Sequence, residues 1–105
     1  MALEPSEQVG TRLLFENERM RVWDLALAPG ESLPTHIHRL DYCFIVVQGG
    51  ALQHTDPNNP QHTEDVQYHD DQVVFLEVGE GMIHHRLTNV GTTPYRNLIV
   101  ELKHG

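Results

Sequence analysis

The chain has 105 residues and a formal net charge of −8, with one cysteine and eight histidines. That length is one domain with one core, and Cys43 alone excludes an internal disulfide. The acidic balance argues against a phosphate-tracking surface, so no nucleic acid and no anionic membrane are expected as partners.

In chain order, residues 1–19 read as an N-terminal segment with a partly ordered strand, and 20–105 as a β-barrel. MALEPSEQVG lacks the basic start and apolar stretch of a secretory signal. No apolar run nears the roughly 20 residues of a bilayer span. The expected location is therefore cytoplasmic. Met20 to Ala28 alternates and stops at the turn dipeptide Pro29-Gly30. Leu40 to Gln48 is a nearly continuous apolar strand closed by Gly49-Gly50. A polar loop is expected from Thr55 to Asp65. Strands follow over Val73 to Val78, Ile83 to Thr88 and Tyr95 to Lys103. Many short strands bounded by turns, with no sustained helical period, predict an all-β sandwich or closed barrel.

Within Leu40 to Val47, strand alternation puts Leu40, Tyr42, Phe44 and Val46 on one face, with Asp41, Cys43, Ile45 and Val47 on the other. An outer face this apolar is expected to be covered, by an N-terminal strand or by a second subunit. A homodimer is the expectation.

Eight histidines are many for 105 residues, and histidine is the commonest metal ligand. His36 and His38 stand at i and i+2 of a strand, so both rings leave one face, with Cα atoms about 6.6 Å apart. Imidazoles at that spacing can converge on one divalent ion with bonds of about 2.0–2.1 Å. A third candidate precedes the turn at Asn89-Val90-Gly91. His85 shares strand parity with Ile83 and Leu87, whereas His84 shares it with Arg86 and Thr88. An inward apolar set selects His85, with His84 as the alternative if the strand is distorted.

Gly30, His36, His38, Tyr42 and Gly49 are spaced as Gly-x5-His-x-His-x3-Tyr-x6-Gly. This resembles the first cupin motif in every element but the glutamate, whose place Tyr42 takes. His85-x3-Asn89 resembles the end of the second motif, which is degraded upstream, with Asp71 for its glycine and Glu77 for its proline. The stretches VWDLALAPGE, HRLDY and NVGTTPYRNLIVELK are similar to small single-domain cupins, some of them called β-alanine degradation proteins. The resemblance spans roughly residues 20 to 103 and implies a cupin jelly-roll β-barrel.

It also implies a metal centre. Some cupins, among them thiol dioxygenases, use three histidines without the glutamate. The expected site is thus His36, His38 and His85 around a divalent transition metal. Iron(II) is the first choice, with zinc, nickel or manganese as alternatives, since imidazole does not discriminate sharply. With no ligand charge the ion keeps +2 and attracts an anionic or chelating small-molecule substrate. Tyr42, a poor ligand with a reference pKa near 10, is the candidate catalytic residue, donating a hydrogen bond to substrate or oxygen. A three-histidine iron(II) oxygenase is the leading reading. A non-catalytic binding or sensing cupin and an oxygen-independent isomerase or lyase are the alternatives.

The remaining candidates have structural readings. Trp23 and Phe75 are expected in the core, Cys43 as a small buried hydrophobe, and Arg39 in solvent or at an interface. His54, His62 and His69 flank the polar loop and are expected to be exposed. Asp70-Asp71 should form a turn.

Overall fold

The computed structural model describes residues 6–56 and 58–103. Their regular structure is entirely β, and among them no helix is long and apolar enough to cross a membrane. One five-stranded sheet is built from β1 (Arg12–Glu16), β2 (Met20–Leu27), β5 (Tyr42–Gln48), β8 (Val73–Leu76) and β11 (Tyr95–Leu102), in the order β1-β2-β11-β5-β8. A four-stranded sheet contains β3 (Ser32–Leu33), β6 (Gly50–Asp56), β7 (Asn59–Tyr68) and β10 (Arg86–Asn89), in the order β3-β10-β6-β7. The short pair β4 (His36–His38) and β9 (Met82–His84) completes it.

The alternation expected of the longer strands is present and defines the interior. On β11 the buried positions are Tyr95, Asn97, Ile99 and Glu101. On β5 they are Tyr42, Phe44 and Val46, opposed across the core by Leu33, Leu52 and Leu87 of the other sheet. Burying a side chain of this kind stabilises by about 1.5–3 kcal/mol, so this interior is the principal favourable contribution to the fold. Two motif glycines have definite reasons. Gly30 turns with φ +87°, and a Cβ on Gly49 would collide with the Tyr68 carbonyl oxygen.

Several expectations are corrected. The stretch expected as a polar loop is mostly a hairpin: β6 runs to Asp56 and β7 starts at Asn59. Most of β7 is solvent-exposed, and only Val66 and Tyr68 near its end turn inward, so polar residues fill it without a hydrophobic alternation. The strand expected over Ile83 to Thr88 is two strands broken at His85. Phe75, expected in the core, lies on the outer face of edge strand β8 at 54% exposure. Cys43 is half-buried on that same face.

That outer face is apolar over β5 and β8, as the alternation of β5 requires, and carries the ion-paired Arg12, Asp24 and Arg96 on its other side. Phe15, Val22, Val100, Cys43 and Phe75 form one cross-strand row over all five strands, and Leu98, Ile45 and Val73 lie in the next. The N-terminal strand β1 extends the edge of this sheet instead of covering it.

Candidate functional site

Antiparallel pairing of β4 with β9 sets His36 opposite His84, Ile37 opposite Ile83, and His38 opposite Met82. Directly opposed residues share a face, so the His84 ring meets that of His36 at 4.9 Å between centroids. His38 lies 4.8 Å from His36 and 5.8 Å from His84. The parity choice of His85 is therefore reversed. The break at His85 resets the alternation, Ile83 points outward at 57% exposure, and His84 joins His36 and His38. His85 contributes its carbonyl oxygen, 3.1 Å from His84 Nδ1.

A fourth ring belongs to the cluster. His54, expected to be exposed, is half-buried on β6 with its ring 4.7 Å from that of His84. The signal was its parity with Leu52, a fully buried residue two positions earlier. His62 and His69 are exposed, as expected.

The ring nitrogens are unequally partnered. His36 Nδ1 lies 3.0 Å from the Pro34 carbonyl oxygen, and His84 Nδ1 is engaged by that of His85. Donation from Nδ1–H in each leaves Nε2 as the lone-pair nitrogen. His36 Nε2 faces His38 Nε2 at 3.1 Å. His38 Nδ1 is buried without a partner among the described residues. Burial disfavours the imidazolium in every member. It lowers the pKa of His36 and His54 and, helped by the neighbouring rings, pushes His38 and His84 down to about 3. At neutral pH the cluster is a set of uncharged nitrogen donors.

Tyr42 stands beside it, 2% exposed, with its ring stacked on His38 at 3.9 Å and 10°. Burial raises its pKa well above the usual phenol range, so it remains a protonated hydroxyl. Asp41 points away, its carboxylate accepting the Val78 N–H at 2.8 Å. Behind Tyr42, its cross-strand partner Glu101 accepts from Trp23 Nε1 at 2.6 Å and from Arg21 Nε at 2.9 Å.

These side chains enclose a cavity of about 30 Å³ between the histidines and Tyr68, Tyr95 and Asn97. Asn97 Oδ1 is the other buried polar atom there without a partner among the described residues. Nothing in the sequence marks Asn97 as part of a site except its parity with Tyr95 and Ile99.

The architecture has clear counterparts. A cupin domain from Bordetella pertussis Tohama I superposes with a TM-score of 0.73 at 22% identity, covering 98% of this chain and 100% of that one. The fold is a cupin jelly roll. An RmlC-like cupin from Methanocaldococcus jannaschii, with a double-stranded β-helix fold, gives a TM-score of 0.63 at 17% identity over 99% of this chain and 91% of its own. A sugar phosphate isomerase from a cupin superfamily, from Silicibacter pomeroyi, gives 0.55 at 19% identity over 82% of this chain and 52% of its own. No protein-family model matches the sequence, and no curated protein matches it at a significant level.

Cupin barrels of the motif type imply a metal, and the donor set here suits one in its chemistry. The donors are neutral imidazoles, and two of them have Nδ1 fixed by backbone carbonyls, the arrangement that aims Nε2 at an ion. Two nitrogens bound to one ion at about 2.0–2.1 Å lie about 2.9 Å apart at a right angle and about 3.4 Å apart at a tetrahedral one, on either side of the 3.1 Å between His36 and His38. As the rings stand, no group of three or more His, Cys, Asp or Glu side chains among the described residues is placed to hold a metal ion.

Proposed function

We propose that this chain is a metal-dependent cupin acting on a small organic substrate, with His36, His38 and His84 as ligands to a divalent transition metal. The facing Nε2 atoms of His36 and His38, 3.1 Å apart, carry this reading. Two buried nitrogens at that distance are held together by one N–H···N hydrogen bond or by one cation. Fixation of His36 and His84 through Nδ1 supports the cation. Closing the set asks for a ring movement toward the cavity. A bound ion supplies Lewis acidity or, if it is iron(II), oxygen chemistry.

The chain's own residues do the rest. The cavity has room for about two water-sized groups, so only a small reacting portion of a substrate enters it. A divalent ion held by neutral imidazoles would keep its full charge, so an anionic or chelating group is the favoured occupant. The Tyr42 hydroxyl, free of hydrogen bonds to the described residues and kept protonated by burial, donates to that group, while its ring fixes His38.

Oxygenation is the leading reaction class, and an oxygen-independent isomerisation is the second, favoured by the Silicibacter pomeroyi neighbour. Turnover in air but not under nitrogen selects the first. Elemental analysis after iron(II), zinc or nickel reconstitution tests the metal itself. Close to one equivalent is expected, and less than about a tenth of an equivalent of each sinks the reading.

The apolar outer face of the five-stranded sheet is proposed as the seat of a second copy. Cys43, Ile45, Val73, Phe75, Leu98 and Val100 bring no charge to it, and the Asp24 carboxylate on the same face is paired with Arg96 and Arg12, on a chain carrying −8. Two copies meet there without the repulsion their other surfaces would impose. Light scattering should give a dimer, and Phe75→Lys should give a monomer with an unchanged metal content. A monomeric parent protein rejects the dimer and leaves the metal site standing.

A further inference from the structure

Three of the four clustered rings come from the two-stranded β4-β9 pair, and the fourth comes from a different sheet. We infer that His54 supplies a fourth nitrogen ligand to the metal held by His36, His38 and His84, an inference that rests on the metal reading above. His54 lies on β6 opposite Leu87 of β10, facing inward with Leu52, and its ring borders the cavity. Its centroid is 4.7 Å from that of His84 at 63°. This matches the 4.8 and 4.9 Å that separate His36 from His38 and from His84. Imidazoles bonded to one ion at about 2.0–2.1 Å have centroids roughly 3 Å from it, so neighbouring ligands have centroids about 4.5–5 Å apart. His54 is thus spaced from His84 as a ligand would be.

Two further observations favour ligation over simple packing. Tyr42, in the place of a carboxylate ligand, is committed to stacking flat on His38, which leaves a fourth donor to come from another strand. Directly opposite His54 on β7 is Glu64, whose negative charge acts on the His54 ring. Glu64 makes no hydrogen bond to His54 and acts as a nearby negative charge, which favours a cation at that ring. Four imidazoles also shift preference toward copper, nickel and zinc, away from manganese.

The test uses the full chain, stripped of metal and loaded with one equivalent of copper(II). Pulsed electron paramagnetic resonance counts the coordinated imidazoles, and competition with a chromophoric chelator measures zinc affinity. The parent should show one more imidazole than His54→Gln, and the substitution should weaken zinc binding at least about tenfold. His54→Ser, compared for thermal unfolding without metal, repeats the measurement if the glutamine variant does not fold. An identical imidazole count in parent and variant overturns the assignment of His54 while leaving the three-histidine site intact. A parent protein that binds neither copper nor zinc overturns both.

Discussion

Glu101 and His38 both neighbour Tyr42 and are equally buried, at 1% and 2% exposure, yet the barrel provides for them differently. Glu101 accepts two charge-assisted or polar hydrogen bonds, from Arg21 and Trp23. Asp24 on the next strand is likewise held by Arg96 at 2.8 Å and Arg12 at 3.5 Å. His38 keeps one ring nitrogen unpartnered and turns the other toward a second imidazole. Buried polar groups that serve the fold are satisfied, because an unpaired one costs about 1–3 kcal/mol. A group left unsatisfied inside a cavity is where a protein gives up stability for binding. Tyr42 marks the border between the two.

The sharpest way to break this contrast is Glu101→Ala. It strands the buried Trp23 N–H and the inner end of Arg21, and should cost about 3–5 kcal/mol in urea unfolding. A loss under about 1 kcal/mol would make the two regions alike. Next in size is pH. His38 and His84 have folded pKa values of about 3, below the unfolded value of 6.5. The unfolded chain therefore binds more protons, and stability present above pH 6.5 is lost progressively as pH falls toward 3. For the two rings together, the metal-free protein should lose roughly 2 kcal/mol between pH 6.5 and 5.5. A flat urea midpoint over that interval contradicts it.

Smaller still is the stability change expected for His38→Leu. Exchanging a half-satisfied buried ring for an apolar side chain of similar volume should move metal-free stability at pH 7.5 by less than about 1 kcal/mol, while zinc affinity collapses. The smallest effect belongs to His85→Asn, which keeps the backbone carbonyl that His84 uses. Zinc affinity should stay within about twofold, and a loss as large as that of His84→Asn would restore His85 to the site.

Legibility along the chain follows the size of the hydrophobic signal. β2, β5 and β11 are readable nearly to the residue because one face of each is buried, with strict alternation along β11 and along Tyr42, Phe44 and Val46 of β5. Tyr42 was placed on the ligand face by the same rule. Failures sit where that signal is weak or interrupted. β7 has an exposed, polar stretch and read as a loop, which concealed the extent of β6 and therefore His54. A single irregular residue, His85, separates β9 from β10, and no propensity in the run Ile83 to Thr88 announces the break. Phe75 read as core because an aromatic on a strand does not say which of two faces is wet.

The local order of residues was enough to determine the all-β architecture, the inward row of Tyr42, Phe44 and Val46, and the convergence of His36 with His38. Each follows from a strand's period of two, which any short stretch of chain obeys by itself. The rest depended on contacts between distant strands. Pairing of β4 with β9 chose His84 over His85, pairing of β6 with β10 brought His54 to the cavity, and pairing of β11 with β5 set Glu101 behind Tyr42. Register between strands is fixed by the whole core closing at once, and one irregular residue reverses every side chain beyond it. The histidine pair was therefore legible in the sequence, but its companions emerged only from the closed barrel.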